Sequence, residues 1–287
     1  MEIIFIIVLV ALVIGTYTDF KTREVPDWVN KGLISLGIGI NLIFSFVYWD
    51  FQFIINSLVG FGVFFGLALL MYYTGQWGGG DSKMIMGIGA MIGIDVFAVR
   101  DSFLLGFLFN ILVVGAFYGL LWSFFLSVKK FKPLVKDMKK SFSSKGMIRA
   151  KKGIVIASLV IILLSFLIED LGVRLSGFVL ALLLISMYYI WVYIKSVENV
   201  CMLKYVPPSL LTEGDWIAKD IVVGGKFISG PKDLGIEQKK INELKRLFSK
   251  GKVGKILVKE GIPFVPSFLI AYVVSWIYGN LLFVVFG

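Results

Sequence analysis

Eight stretches of this chain are apolar for long enough to prefer lipid to water, at roughly 3–18, 28–48, 53–74, 82–97, 102–128, 153–168, 175–195 and 263–286. A helix needs about 20 apolar residues to cross the hydrocarbon of a bilayer. Within lipid every backbone polar group must be paired internally, so these stretches are predicted to be helices. Composition agrees: 58% of the residues are hydrophobic and 17% charged, where soluble domains lie near about half and about a quarter. The expected fold class is an all-α polytopic membrane protein, a bundle of about eight transmembrane helices with a small α+β cytoplasmic domain. The first stretch follows Met1 and Glu2 without the positive start and small-residue cleavage site of a secretory signal, so it reads as a retained span.

The charges orient the bundle. Of the 29 Lys and Arg, all but Arg100 and Arg174 fall on one set of alternate loops: 19–31, the start of the fourth stretch at Lys83, 129–152 and 195–262. Cytoplasmic loops carry such an excess, so both termini are expected outside and the basic loops inside. The run 129–152 reads as a solvated basic linker, with anionic lipid as its functional alternative. Nucleic acid is not an expected partner, because no aromatic interleaving or groove-reading motif accompanies the run.

Residues 196–262 look aqueous. The segment 221–228 reads as two strands about Gly224-Gly225, Ile236, Ile241, Leu244, Leu247 and Phe248 recur near helical spacing, and 256–258 reads as a further strand. The domains expected are 1–128 for the first spans, 129–152 for the basic loop, 153–195 for two further spans, 196–262 for the α+β domain and 263–287 for the last span.

The chain has no histidine and one cysteine, Cys201. A Ser-His-Asp triad, an HExxH zinc site and an intrachain disulfide are therefore excluded. What stands out is acid at the membrane edge. Asp19 closes the first stretch and Asp81 opens the fourth, and the loop count puts both on the same face. An ionisable group at membrane depth is a functional candidate by default. Two carboxylates at one site cannot easily both ionise and share a proton. One then works as base on a water while the other polarises a carbonyl, which is the acid and base work of amide hydrolysis. Gly78, Gly79 and Gly80, directly before Asp81, permit positive φ and close backbone approach, where an extended substrate can lie. A phosphate loop is not expected, since no Lys-Ser/Thr follows the glycines.

Gly78-x-Gly80-Asp81 matches the GxGD motif of intramembrane aspartyl proteases. Asp19-Phe20-Lys21-Thr22-Arg23-Glu24-Val25-Pro26 resembles the first aspartate motif of their prepilin and preflagellin (prearchaellin) peptidase branch, and Ile262-Pro263-Phe264-Val265-Pro266 is similar to its C-terminal proline segment. The resemblance is to archaeal-type members. It implies Asp19 and Asp81 as the catalytic pair, with no metal and no cofactor. It also implies cleavage of short basic leader peptides from type IV pilin-like or archaellin precursors at the cytoplasmic face of the cell membrane. Gly78, Gly79, Gly80, Lys83, Arg23, Pro26, Pro263 and Phe264 are the candidates for the substrate-facing wall. Lys83 and Arg23 read equally as carboxylate partners or as interfacial charges, and Pro263 and Phe264 as site wall or as a helix start. The chain lacks the paired CxxC motifs of bacterial relatives, so N-methyltransferase activity is not expected. Glu24, Asp27, Glu213 or Asp215 would supply acidic contacts to a basic leader. The competing reading is a proton-coupled transporter with the two aspartates as a relay, which fits less well because such carriers hold their acids near mid-membrane at broken helices.

Overall fold

The computed structural model describes residues 2–98 and 102–281; Arg100 and the end of the last apolar stretch, 282–287, lie outside them. Each of the eight apolar stretches contains a helix, though the fourth and last run past theirs: α1 Glu2–Thr22, α2 Asp27–Val47, α3 Gln52–Tyr73, α4 Gly79–Ile92, α5 Phe103–Lys129, α7 Lys145–Phe166, α8 Leu171–Val200 and α10 Val265–Tyr278. Among the described residues five of them, α1, α2, α3, α5 and α8, are long and apolar enough to cross a membrane. Helix α7 has 22 residues but starts with a charged turn and a half, and α4 and α10 have only 14 each.

The chain groups into two compact units. The first holds the residues to Gly119, Pro207–Gly254 and those from Gly261; the second holds Leu120–Val206 and Lys255–Glu260.

In the first unit, α4 packs against both α2 and α3 through backbone-to-backbone contact. A Cβ at Gly37 would lie 2.7 Å from the Ala90 carbonyl carbon, and one at Gly89 would lie 2.6 Å from the Gly60 carbonyl oxygen. Small residues permit such approach between membrane helices, where lipid offers no hydrophobic drive to association. Met84, Ile85, Ile88 and Met91 on α4 are fully buried in consequence.

Fourteen residues of helix span about 21 Å, short of the hydrocarbon thickness. Both short helices therefore end where carbonyls need protein partners, and an asparagine of a neighbouring helix provides them in each case. Asn41 Nδ2 donates to the Met91 carbonyl at 3.1 Å, and Ser57 Oγ to that of Ala90 at 2.6 Å, at the end of α4. Gly93, at φ 75°, then turns the chain out of helix, so the apolar run to 97 is only partly helical. On α5, Asn110 Nδ2 donates to Ser275 Oγ and to the Gly279 carbonyl, each at 2.8 Å, while its Oδ1 accepts the Leu281 N–H. That closes the end of α10.

The insertion 207–254 also belongs to the first unit. It carries β2 Trp216–Ile217, a hairpin of β3 Ile221–Val223 and β4 Lys226–Ser229, and α9 Gln238–Ser249. Gly224 and Gly225 both have positive φ, as the two-residue hairpin turn demands. Leu211, Ile217, Ile228, Ile236, Ile241 and Leu244 are buried.

In the second unit, α7 and α8 are capped at their starts by Ser144 and Asp170, whose side chains accept the Met147 and Val173 N–H groups. The basic run 129–152 is not a plain linker: residues Phe131–Phe142 form α6, and α7 begins at Lys145. The reason is visible in retrospect, since Phe131, Leu134, Val135, Met138 and Phe142 repeat at helical spacing between the lysines. Leu134 is buried and Phe142 packs on Tyr188 and Tyr189 of α8. Strands β1 Leu203–Val206 and β5 Ile256–Lys259 pair antiparallel.

Candidate functional site

Helix α1 ends at Thr22, where Arg23 adopts φ 61° and its N–H bonds the Asp19 carbonyl. That puts Asp19 in the last turn, facing inward and 5% exposed. Its Oδ2 accepts the N–H of Val265, the first residue of α10, at 3.0 Å. A helix start offers unpaired N–H groups and the positive end of the dipole, both complementary to a carboxylate.

Asp81 sits in the first turn of α4. Its Oδ2 accepts the Gly78 N–H at 3.0 Å, half of a capping box. Gly15 shows that α1 and α4 approach closely beside the two acids. It lies one turn before Asp19 on the same face, and a Cβ there would be 2.7 Å from Cε of Met84, one turn beyond Asp81, and 3.2 Å from Val265 Cγ1. The Asp19 and Asp81 carboxyls are within electrostatic reach of each other.

The glycines act differently from the sequence reading. Gly78 is extended at φ −73°, ψ 169°, and neither Gly79 nor Gly80 has positive φ. Their value is proximity: a Cβ at Gly80 would lie 3.3 Å from the Val25 backbone nitrogen. Val25 and Pro26 thus bring the α1–α2 connection against the GxGD turn. Lys83 points to Asp27 at 2.7 Å, and Lys31 shares that carboxylate at 2.9 Å. Asp27 is consequently already held by two lysines, and Asp215 Oδ2 takes the Thr212 N–H. The Arg23 guanidinium lies within electrostatic reach of Asp19. Pro263 is buried, and Phe264 packs edge-on against Phe268 and tilted against Trp77, which is itself 3% exposed.

Three residues here escaped the sequence reading. Asn30 is fully buried, and its Nδ2 lies 3.5 Å from the Gly80 carbonyl. Trp77 plugs the α3–α4 loop into the Phe264–Phe268 pair. Tyr118 of α5 has its hydroxyl within electrostatic reach of Asp19. A polar residue one turn after Asp27, at the start of an otherwise apolar helix, was the available signal for Asn30; Trp77 and Tyr118 carry none. Among the described residues no group of three or more His, Cys, Asp or Glu gathers to hold a metal.

A helical bundle with two carboxyls within electrostatic reach of each other, each accepting the N–H of a helix start, defines a polytopic membrane protein with an acidic pair inside it. Residues 5–124, which contain both aspartates, match the model of the Type IV leader peptidase family. The chain is similar to preflagellin peptidases of three archaea. With that of Methanocaldococcus jannaschii it shares 41% identity over 88 residues, 31% of this chain and 37% of the relative. With that of Methanococcus maripaludis the identity is 35% over 88 residues, 31% of this chain and 38% of the relative. With that of Methanococcus voltae it is 35% over 94 residues, 33% and 40% of the two chains. The chain thus spans about two fifths of the length of the curated relatives it matches. No solved structure matches it.

Proposed function

We propose that this protein is a membrane-embedded aspartyl endopeptidase that removes short basic leader peptides from archaellin or type IV pilin-like precursors at the cytoplasmic face. The observation that carries this reading is that Asp19 and Asp81, at the close-packed ends of α1 and α4 inside the segment that the family model matches, lie within electrostatic reach of each other. The preflagellin peptidase names of the relatives support the substrate class.

Two carboxyls so placed hold one proton between them. The ionised member takes a proton from water, the water attacks the scissile carbonyl, and the protonated member donates to the carbonyl oxygen. Collapse of the tetrahedral intermediate returns a proton to the leaving amine. Because the pair titrates as a unit, neither role belongs permanently to one aspartate. The Gly78–Gly80 backbone, free of side chains, is the surface against which the extended cleavage segment lies.

Purified full-length protein in detergent, mixed with an archaellin or pilin-like precursor, tests this. Cleavage by the wild type and by neither Asp19→Asn nor Asp81→Asn is expected. Cleavage at the wild-type rate by either variant would remove the dyad.

A further inference from the structure

The insertion 207–254 touches the membrane helices at the loop that delivers Asp81. Residues 214–216 cross residues 234–236, tied by Gly214 N–H to the Ile236 carbonyl and Ile236 N–H to the Asp215 carbonyl, both at 2.9 Å. A Cβ at Gly235 would lie 2.7 Å from the Gly214 carbonyl oxygen, so the crossing is close-packed. Two contacts run from this one crossing to the end of α3. The Tyr72 hydroxyl donates to the Leu234 carbonyl at 3.2 Å. The Trp216 ring edge lies over Gly75, where a Cβ would come within 3.1 Å of Cη2. Gly75 has φ 70°, so both the backbone there and the aromatic contact favour glycine.

From Gly75 the chain needs three residues to reach Gly78, whose N–H is the one Asp81 accepts. Trp77, between them, is buried against Phe264 and Phe268. The loop is therefore gripped on one side by α10 and on the other by the insertion. The backbone N–H groups of residues 74–76 bond back to the end of α3.

We propose that the insertion braces the α3–α4 loop, and that Trp216 is a positioning residue that keeps the Gly78–Asp81 turn where Asp81 faces Asp19. The inference rests on the proposed peptidase reading for its rate effect, but its physical core does not. Misplacing a catalytic group by about 1 Å costs up to about a hundredfold in rate.

The test uses the full chain in detergent with Trp216→Ala, Trp216→Phe and Tyr72→Phe. Hydrogen exchange at the amides of Gly75–Asp81 should rise in Trp216→Ala and, less, in Tyr72→Phe, while the α1 and α2 amides keep wild-type protection. Against a precursor that the wild type cleaves, Trp216→Ala should lower kcat about tenfold or more with KM little changed, and Trp216→Phe should restore most of it. Unchanged exchange at Gly75–Asp81 in Trp216→Ala would overturn the brace. So would a raised KM with unchanged kcat, which would make the residue a substrate contact. Absence of cleavage by the wild type counts against the peptidase reading alone, because the exchange measurement still decides the brace.

Discussion

The Asp19 carboxylate accepts the Val265 N–H at 3.0 Å, so the last turn of α1 caps the first turn of α10 across almost the whole length of the chain. This gives Asp19 a structural duty separable from its proposed chemistry. Asp19→Ala leaves a buried N–H without an acceptor, which costs about 1–3 kcal/mol. Asp19→Asn keeps a carbonyl oxygen in place. Thermal unfolding in detergent should therefore fall for Asp19→Ala and stay near wild type for Asp19→Asn, with both inactive on precursor. Equal midpoints for the two variants would show that the bond contributes little.

At the opposite end of α10, Asn110 uses both its amide groups on Ser275, Gly279 and Leu281. Asn110→Leu keeps the volume but strands buried groups that lipid cannot satisfy, each at about 1–3 kcal/mol. The expected result is a clear drop in the unfolding midpoint. Ser275→Ala, which removes only one of the partners, should lie between the variant and the wild type.

How far the sequence revealed this architecture depends on the kind of signal. Apolar length located the five described helices long enough to cross a bilayer and the shorter apolar ones beside them, because bilayer thickness sets a requirement that composition alone can meet. The hairpin at Gly224-Gly225 was equally legible, since positive φ at both turn positions leaves few alternatives to glycine. Helix α6 was hidden because lysine count outweighed a clear apolar repeat. The end of α4 at Ile92 was hidden because Gly93 breaks a run that hydropathy continues to 97. Asp19 and Asp81 could be paired by loop counting. Their bonds to Val265 and Gly78, the diversion of Lys83 to Asp27 and the contact of Trp216 with Gly75 are tertiary facts with no local pattern.

The engagement of Lys83 with Asp27 has its own consequence. Both side chains are about half exposed, at 47% and 53%, and an ion pair so placed contributes no more than about 1 kcal/mol. Lys83→Gln should leave the unfolding midpoint within that limit. It should also leave cleavage of a neutral-leader precursor close to wild type. A large loss of kcat in Lys83→Gln would instead place the ammonium at the carboxyl pair during the reaction.

Acid should loosen the insertion at the turn that holds Asp233. The Ser229 hydroxyl, with Lys240 and the Gly230 N–H, holds the Asp233 carboxyl below the usual aspartate range. A depressed value means that the unfolded segment binds its proton first as pH falls. The stabilisation is therefore complete above the ordinary aspartate value of about 3.9 and disappears as pH drops through the lower folded value. Hydrogen exchange across 229–240, followed from pH 6 downward and corrected for intrinsic rate, should accelerate only below about 3.9, and Asp233→Asn should abolish that step.

Gly15 controls how closely α1 can approach both partners of the acidic site. A Cβ there meets Met84 Cε at 2.7 Å and Val265 Cγ1 at 3.2 Å. The methionine end is flexible and can swing away, so Gly15→Ala should cost little. Gly15→Leu has no such escape, because Val265 is fully buried at the start of α10, and overpacking of this kind costs about 1–3 kcal/mol. The bundle can relieve it only by moving α1 away from α4 and α10, which carries Asp19 away from Asp81 and from the Val265 N–H together. Gly15→Leu should therefore lose most of its kcat with both aspartates intact, while Gly15→Ala cleaves nearly as wild type. A disulfide introduced between α1 and α4 near the site would report the separation directly, forming readily in the alanine background and poorly in the leucine one.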